Sequence, residues 1–277
     1  MDNGVAPVAA VDAARHGPDA VALDDVRLAY GAFPALERIT MRVRKGEFVA
    51  LVGPTGCGKS SVLNLVAGLL EPTSGRVATG GQEVSGVNRD CAYMFQADAL
   101  LPWRSALDNV RLGPQLRGVG RAEATRQARD WLARVGLKGW EDRYGHQLSG
   151  GQRKRVAMAQ ALINRLPILL MDEPFGALDA QTRVLMEQEL LELWQELGAT
   201  VLFVTHDLEE AIALADRVIL FTAGPGATLK GDYVVDLERP RQVAEARFMD
   251  GFTELYERVW SDLREEVMTT YAHSRAA

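Results

Sequence analysis

Cysteine is almost missing from this 277-residue chain, which holds only Cys57 and Cys91. Two cysteines make no disulfide framework, so both read as reduced thiols. Long apolar runs are missing as well. No stretch approaches the roughly 20 residues needed to cross a bilayer, so any membrane association is expected to come through a partner. Positive charge is not in excess: the net charge is −6, which argues against a protein that tracks a nucleic-acid backbone with a basic face. The N-terminus carries Asp2 and no cationic region, so it does not read as a secretory signal. No internal repeat is visible. What remains is an ordinary globular composition, 47% apolar and 25% charged, with material for a sizeable core that needs no covalent staples. The length suits one α/β domain with an inserted lobe.

Residues 1–20 are rich in Ala, Gly, Pro and Asp without periodicity and read as a disordered tail. Val21–Tyr30 reads as a strand followed by a turn at Gly31-Ala32-Phe33-Pro34. The run Glu47–Val52 is apolar and β-prone and ends at Gly53; helical character follows over Ser61–Ala67 and stops at Gly68. Short strand-like pieces with glycine turns occupy 75–95. From Leu107 to about Leu166 the pattern is helical, with a helix over Arg121–Val135. Ile168–Met171, Thr200–Thr205 and Val218–Phe221 read as buried strands, separated by helices over Asp179–Leu197 and Leu208–Ala215. Strands alternating with helices imply a mostly parallel, helix-covered sheet. Near the end, Phe248, Phe252, Leu255, Tyr256, Val259, Trp260, Leu263 and Val267 fall on one stripe at helical spacing. That stripe packs on its own domain or receives a partner.

The segment Gly53-Pro54-Thr55-Gly56-Cys57-Gly58-Lys59-Ser60 fits the pattern Gly-x-x-x-x-Gly-Lys-Ser/Thr and lies between a strand and a helix, the context the pattern requires. Successive amides in a glycine-permitted loop form an anion nest, and the following helix adds its positive end. Lys59 can then reach the β- and γ-phosphates of a triphosphate and the Ser60 hydroxyl can bind Mg²⁺, with Ser61 a lesser phosphate contact. A second element is Ile168-Leu169-Leu170-Met171-Asp172-Glu173. A carboxylate at the tip of a buried strand is costly unless it serves a cation, so Asp172 is a Mg²⁺ candidate. Glu173 stands where a carboxylate can polarise a water for attack on the γ-phosphate. Taken alone, Asp-Glu-Pro is also a helix start.

Between these two elements stands Leu148-Ser149-Gly150-Gly151-Gln152, followed by Arg153-Lys154-Arg155-Val156-Ala157. Here the sequence resembles the ABC ATPase family, over about residues 21–240. The resemblance implies a P-loop NTPase (RecA-like) core with a mostly parallel sheet, an antiparallel β subdomain and a helical subdomain inserted at about 97–165, followed by a C-terminal helix or tail at 241–277. It implies an ATPase whose second, head-to-tail subunit completes each site, with Ser149, Gly150, Gly151 and Gln152 clamping the γ-phosphate bound to the opposite chain. Tyr30 looks like the aromatic that stacks on adenine, although a strand-end tyrosine needs no such role. Gln96 looks like the glutamine that senses Mg²⁺ and the attacking water. Gly176-Ala177-Leu178-Asp179 resembles the loop that crosses to the other subunit, with glycine where many members have serine. His206 resembles the switch histidine on the γ-phosphate. Cys57, among the phosphate-binding residues, becomes a reporter: a thiol reagent there is expected to block ATP binding, and ATP to slow the labelling.

Leu101-Pro102-Trp103-Arg104 with Leu107-Asp108-Asn109-Val110, and Arg239-Pro240-Arg241 near the end, resemble the importer subfamily for nitrate, sulfonates and taurine. That likeness implies a peripheral subunit on the cytoplasmic face of the cell membrane. It implies transmembrane permease subunits that insert a coupling helix near Trp103, and indirectly a periplasmic or extracellular solute-binding protein. Trp103 filling the helical lobe is the plainer reading. The rivals are a soluble ABC ATPase acting on nucleic acid or ribosomes, which usually carries two cassettes or a long coiled-coil insert, and an importer ATPase for a different solute.

Overall fold

The structure, a computed structural model, describes residues 19–276. The expected tail at residues 1–18 lies outside the described residues, while Asp19 and Ala20 already belong to the first strand. A hairpin of β1 (Asp19–Tyr30) and β2 (Phe33–Arg44) leads into β3 (Phe48–Val52), the glycine loop and α1 (Lys59–Val66). Then come β4 (Ser74–Thr79), β5 (Gln82–Glu83) and β6 (Cys91–Met94). The inserted lobe holds α2 (Ala106–Val110), α3 (Leu112–Leu116), α4 (Arg121–Arg134) and α5 (Gly150–Leu162). The chain returns through β7 (Ile168–Asp172), α6 (Ala180–Leu197), β8 (Thr200–Val204), α7 (Leu208–Leu214), β9 (Arg217–Phe221) and β10 (Leu229–Val234), and closes with α8 (Phe252–Ala276).

Two sheets result. One is antiparallel in the order β2-β1-β4-β5; the other runs β10-β9-β3-β8-β7-β6 and is parallel except at β10. The central strands β3 and β8 are buried at every position because both their faces are covered. Their two-residue period then divides the interior. Phe48, Ala50 and Val52 of β3 join the core under the helical lobe, α6 and α8. Val49 and Leu51 face the core shared with α1 and the antiparallel sheet. β8 does the same, with Val201 and Phe203 on one side and Leu202 and Val204 on the other.

The hairpin strand β2 adds to the expected pattern: Ile39, Met41 and Val43 alternate with Thr40, Arg42 and Arg44 and are buried against β1. The C-terminal stripe is narrower than its spacing suggests. Phe252, Leu255, Val259 and Leu263 are buried as α8 packs on α7 and β10. Phe248 lies in a 3-10 turn ahead of the helix and is exposed, as is Trp260. Trp103 is 71% exposed, so it does not fill the lobe. No helix among the described residues is long and apolar enough to cross a membrane.

One polar cluster is buried between α6 and α7. Glu187 and Glu210 face each other, and Thr205 donates its hydroxyl to Glu210 Oε2. Glu210 Oε1 has no hydrogen-bond donor of its own; a proton held on the pair supplies one. Burial raises both carboxyls above the ordinary glutamate value, against the pull of Arg183 on Glu187. The folded state therefore binds a proton that the unfolded chain releases, and stability is lost as pH rises above the unfolded value of 4.5. Glu210→Gln keeps the hydrogen bonds without the proton. Its thermal midpoint is expected to gain on wild type with rising pH, by about 2–4 °C for each kcal/mol. A midpoint difference that does not change with pH would show that the pair is ionised in the fold.

Candidate functional site

Parallel strands end on the same edge of their sheet, and loops leaving that edge collect there. The glycine loop leaves β3 after Val52, Gln96 lies two residues beyond β6, Asp172 and Glu173 stand at the end of β7, and His206 lies two residues beyond β8. Gln96, Glu173 and His206 line the wall of one cleft of about 520 Å³ together with Tyr30, Thr55, Gly56, Gly58, Lys59, Ser60 and Ser61, and Asp172 meets it through its hydrogen bond with Ser60. Phe33, which the sequence reading took only as part of a turn, stands beside Tyr30 in that wall. Both rings are about half exposed, and the Tyr30 hydroxyl lies 3.1 Å from Ser61 Oγ.

The loop requires glycine where it turns left-handed. Gly58, at φ +93°, starts α1, and a Cβ there would lie 2.5 Å from Leu36 Cδ2. Gly53, at φ +150°, would bring a Cβ to 3.0 Å from the Phe221 carbonyl. Within the loop Lys59 is nearly buried, and its ammonium donates to the carbonyls of Gly53 at 2.8 Å and Pro54 at 2.9 Å. Those two residues thus meet the cleft through the lysine they hold.

Ser60 Oγ donates to Asp172 Oδ1 at 3.0 Å. Burial raises the Asp172 carboxyl, and the Ser60 hydrogen bond opposes that shift. Among the described residues no group of three or more His, Cys, Asp or Glu side chains gathers to hold a metal. A hydroxyl, a carboxylate and the nearby Gln96 amide are too few for a self-sufficient cage. They fit Mg²⁺, which keeps waters and shares phosphate oxygens.

Glu173 follows Asp172 with φ +42°, a left-handed conformation that costs a glutamate of order 1–3 kcal/mol. Its N–H donates to the Val204 carbonyl at 2.9 Å, which holds the turn. Gln96 Nε2 donates to Glu173 Oε2 at 3.1 Å, and His206 Nδ1 lies 3.5 Å from the same oxygen. Three strand ends therefore converge on one carboxylate facing the glycine loop. A carboxylate held this way can orient a water and take its proton.

The structure does not bring Ser149, Gly150, Gly151, Gln152 or Asp179 to that cleft. Ser149 caps α5 by accepting from the Gln152 N–H at 3.2 Å, while Gln152 Oε1 accepts from the Ser149 N–H at 2.9 Å. Gly151 packs near Thr182 at the start of α6, and Asp179 caps α6 through the Thr182 N–H at 3.0 Å. These residues form a second face on the same chain: a capped helix N-terminus, the kind of place that receives an anion. Two residues missed as positioning groups tie this face to the cleft. Buried Lys154 donates to the Gln96 carbonyl at 2.7 Å and pairs with Asp98 at 3.2 Å. Arg153 pairs with Asp98 at 2.7 Å. Their basic spacing after the pentapeptide was the available signal.

Comparison with known proteins shows the family. The family model described as "ABC transporter" matches residues 36–176. An uncharacterized ABC transporter ATP-binding protein of Methanocaldococcus jannaschii is 44% identical over 84% of this chain and 86% of its own length. Taurine import ATP-binding protein TauB of Chromobacterium violaceum is 50% identical over 74% of this chain and 78% of that protein. The Escherichia coli K12 protein of the same name is 46% identical over 73% and 79%. Among solved structures, a dimeric ATP-binding cassette in a post-hydrolysis state, bound to ADP and Pi, aligns with a TM-score of 0.70 at 32% identity, covering 78% of this chain and 98% of that one.

Cys57 corrects one expectation. Its side chain is fully buried in the core shared with α1, with Lys59 Nζ 3.6 Å away, and burial raises its thiol against the pull of that lysine. Its amide is turned to the Pro54 carbonyl at 3.3 Å. A buried, protonated thiol is a poor nucleophile, so it reports nothing about the cleft. In a Cys91→Ser variant we expect Cys57 to react with a maleimide at less than about a tenth of its rate in the urea-unfolded chain, with or without Mg-ATP. Rapid labelling that Mg-ATP suppresses would place the thiol at the cleft surface instead.

Proposed function

Because the chain belongs to the ABC transporter family, we propose that it is the ATP-hydrolysing subunit of an importer that takes up a small sulfonate-type anion such as taurine through a separate membrane permease. The observation that carries the hydrolytic half is the convergence of Gln96, Glu173 and His206 beside the Lys59 loop. The relatives named taurine import ATP-binding proteins, at 46% and 50% identity, support the solute class. Other sulfonates fall within the same class, and nitrate is the small-anion alternative.

In this reading the loop amides and Lys59 neutralise the triphosphate, and Tyr30 lies against the adenine. Ser60, Asp172 and Gln96 would hold Mg²⁺, which would supply charge neutralisation for the triphosphate. Glu173 accepts the proton of the attacking water, while Gln96 fixes its carboxylate and His206 contacts the γ-phosphate. Phosphoryl transfer to water is mostly positioning and charge neutralisation, so a strained, pre-set glutamate suits the task. Ser149 and the amides at the start of α5 serve the nucleotide of a second copy, with Asp179 at the dimer seam. This accounts for their distance from the cleft of their own chain and for the dimeric form of the similar cassette. Exposed Trp103 is then the contact for a permease segment, which places the subunit at the cytoplasmic face of the membrane. A solute-binding protein acts through that permease.

Two measurements test these roles. Glu173→Gln is expected to bind ATP with little change and to lose about 10²-fold or more in steady-state phosphate release; hydrolysis at the wild-type rate would remove Glu173 as the base. Trp103→Ala is expected to leave nucleotide affinity and basal hydrolysis unchanged and to weaken stimulation by the reconstituted permease. Equal stimulation of variant and wild type would exclude Trp103 from coupling.

A further inference from the structure

Arg241 is 2% exposed, and among the described residues no carboxylate lies within ion-pair distance of it, although Asp216 is near enough to act on its charge. Its guanidinium is spent on carbonyls. Nη1 donates to Ile212 at 3.3 Å, Ala213 at 3.4 Å and Ala215 at 2.6 Å. Nη2 donates to Val235 at 3.3 Å and Leu237 at 3.0 Å, and Nε to Leu237 at 3.3 Å. Ile212, Ala213 and Ala215 form the end of α7, where helix carbonyls have no partner of their own and the dipole is negative. Arg239 takes the remaining one: its Nη2 donates to Leu214 at 2.7 Å, while it pairs with Asp216 and lies over the Trp194 ring at 4.5 Å. The segment that follows β10 thus closes the whole C-terminal end of α7. Burial and the neighbouring Arg239 lower the Arg241 guanidinium to about 10, so it is charged at neutral pH.

The other end of α7 carries the cleft. The helix is seven residues long, about 10 Å. His206 stands immediately before Asp207, which caps α7 by accepting from the N–H groups of Glu209 at 3.0 Å and Glu210 at 3.2 Å. Asp207 also meets Arg183 at 3.3 Å, and Arg183 donates to the Leu178 carbonyl at 3.2 Å. A seven-residue helix is too short to keep its place by propensity; its buried face, with Ala211, Ile212 and Leu214, seats it in the core, and the contacts at its two ends fix how it sits along its axis. A buried charge is costly to desolvate, and the hydrogen bonds of Arg241 offset that cost by satisfying carbonyls that an apolar side chain would leave unpaired. What only the guanidinium provides is a fixed fork across the helix end.

We infer that Arg241 is a positioning residue for His206: by fixing the far end of α7 it sets where the imidazole stands relative to Glu173. The inference rests on the reading of His206 as part of the hydrolytic site. It makes the segment beyond the parallel sheet a working part of the ATPase.

The test is steady-state ATP hydrolysis by the full chain, with Mg-ATP affinity measured in parallel. Arg241→Met is expected to lower kcat by about tenfold or more while KM and the Mg-ATP Kd stay within about twofold. Arg241→Lys, which keeps the charge but not the fork, should fall between. Val43→Ala, a core truncation in β2, supplies a variant of lowered thermal midpoint and should keep kcat within about twofold of wild type. If Arg241→Met does not fold, Arg241→Lys carries the same split of kcat from KM. Wild-type kcat in the Arg241 variants, a loss shared equally by kcat and affinity, or an equal kcat loss in Val43→Ala would overturn the inference. His206→Ala separates it from the reading beneath: full activity there overturns both, whereas an inactive His206→Ala beside fully active Arg241 variants overturns this inference alone.

Discussion

The parallel register of β3, β7 and β8 is the constraint on which the site depends. β7 pairs with β8 from Ile168 opposite Thr200 to Asp172 opposite Val204, and β3 pairs with β8 from Phe48 opposite Val201 to Leu51 opposite Val204. That alignment ends three strands level, so the glycine loop, Asp172 with Glu173, and His206 leave the sheet side by side. Both faces of these strands are buried, so a slip of one residue would exchange their two cores. Phe48 and Phe203, which touch at 5.7 Å on one side, would then point into the space now filled by α1 and the antiparallel sheet. The same apolar packing that stabilises the fold thereby holds the cleft in register.

On this frame the polar parts are joined by a few contacts between distant segments. Lys154 reaches from the helix behind Ser149 to the backbone of Gln96, so the lobe that presents the second face also grips the residue nearest Glu173. Arg183 spans from the carbonyl of Leu178 to Asp207, linking the loop before α6 to the start of α7. The two faces of the molecule are therefore mechanically continuous, although neither touches the other's ligand groups within one chain. Glu173 sits where these constraints meet. Its left-handed backbone is a local cost that the surrounding hydrogen bonds enforce, and such strain concentrates at working sites.

The sequence by itself determined a good deal. The glycine loop, the Asp172-Glu173 strand tip and the Ser149 pentapeptide are local patterns, because amide nests, strand ends and helix caps are made by neighbouring residues. The runs at 47–52, 168–171, 200–205 and 218–221 identify buried parallel strands for the same reason. Less visible were β2 and β10, whose alternation has meaning only once a partner strand is present. The C-terminal stripe was legible as a helix, but not which of its apolar residues face inward: Trp260 and Phe248 share the spacing and are exposed.

Only the tertiary structure decided the rest. Spacing along the chain placed Cys57 among the phosphate-binding residues, but the turn of the loop buries its thiol and leaves the neighbouring glycines to face the cleft. Gln96, Glu173 and His206 are separated by dozens of residues, and their meeting within 3.1 and 3.5 Å on one carboxylate oxygen comes from the strand order. Arg241 stands out in the sequence only as part of Arg239-Pro240-Arg241, and its burial follows from where α7 ends in space. Local chemistry is written in consecutive residues; the distances that make it act are set by the packing of segments far apart in the chain.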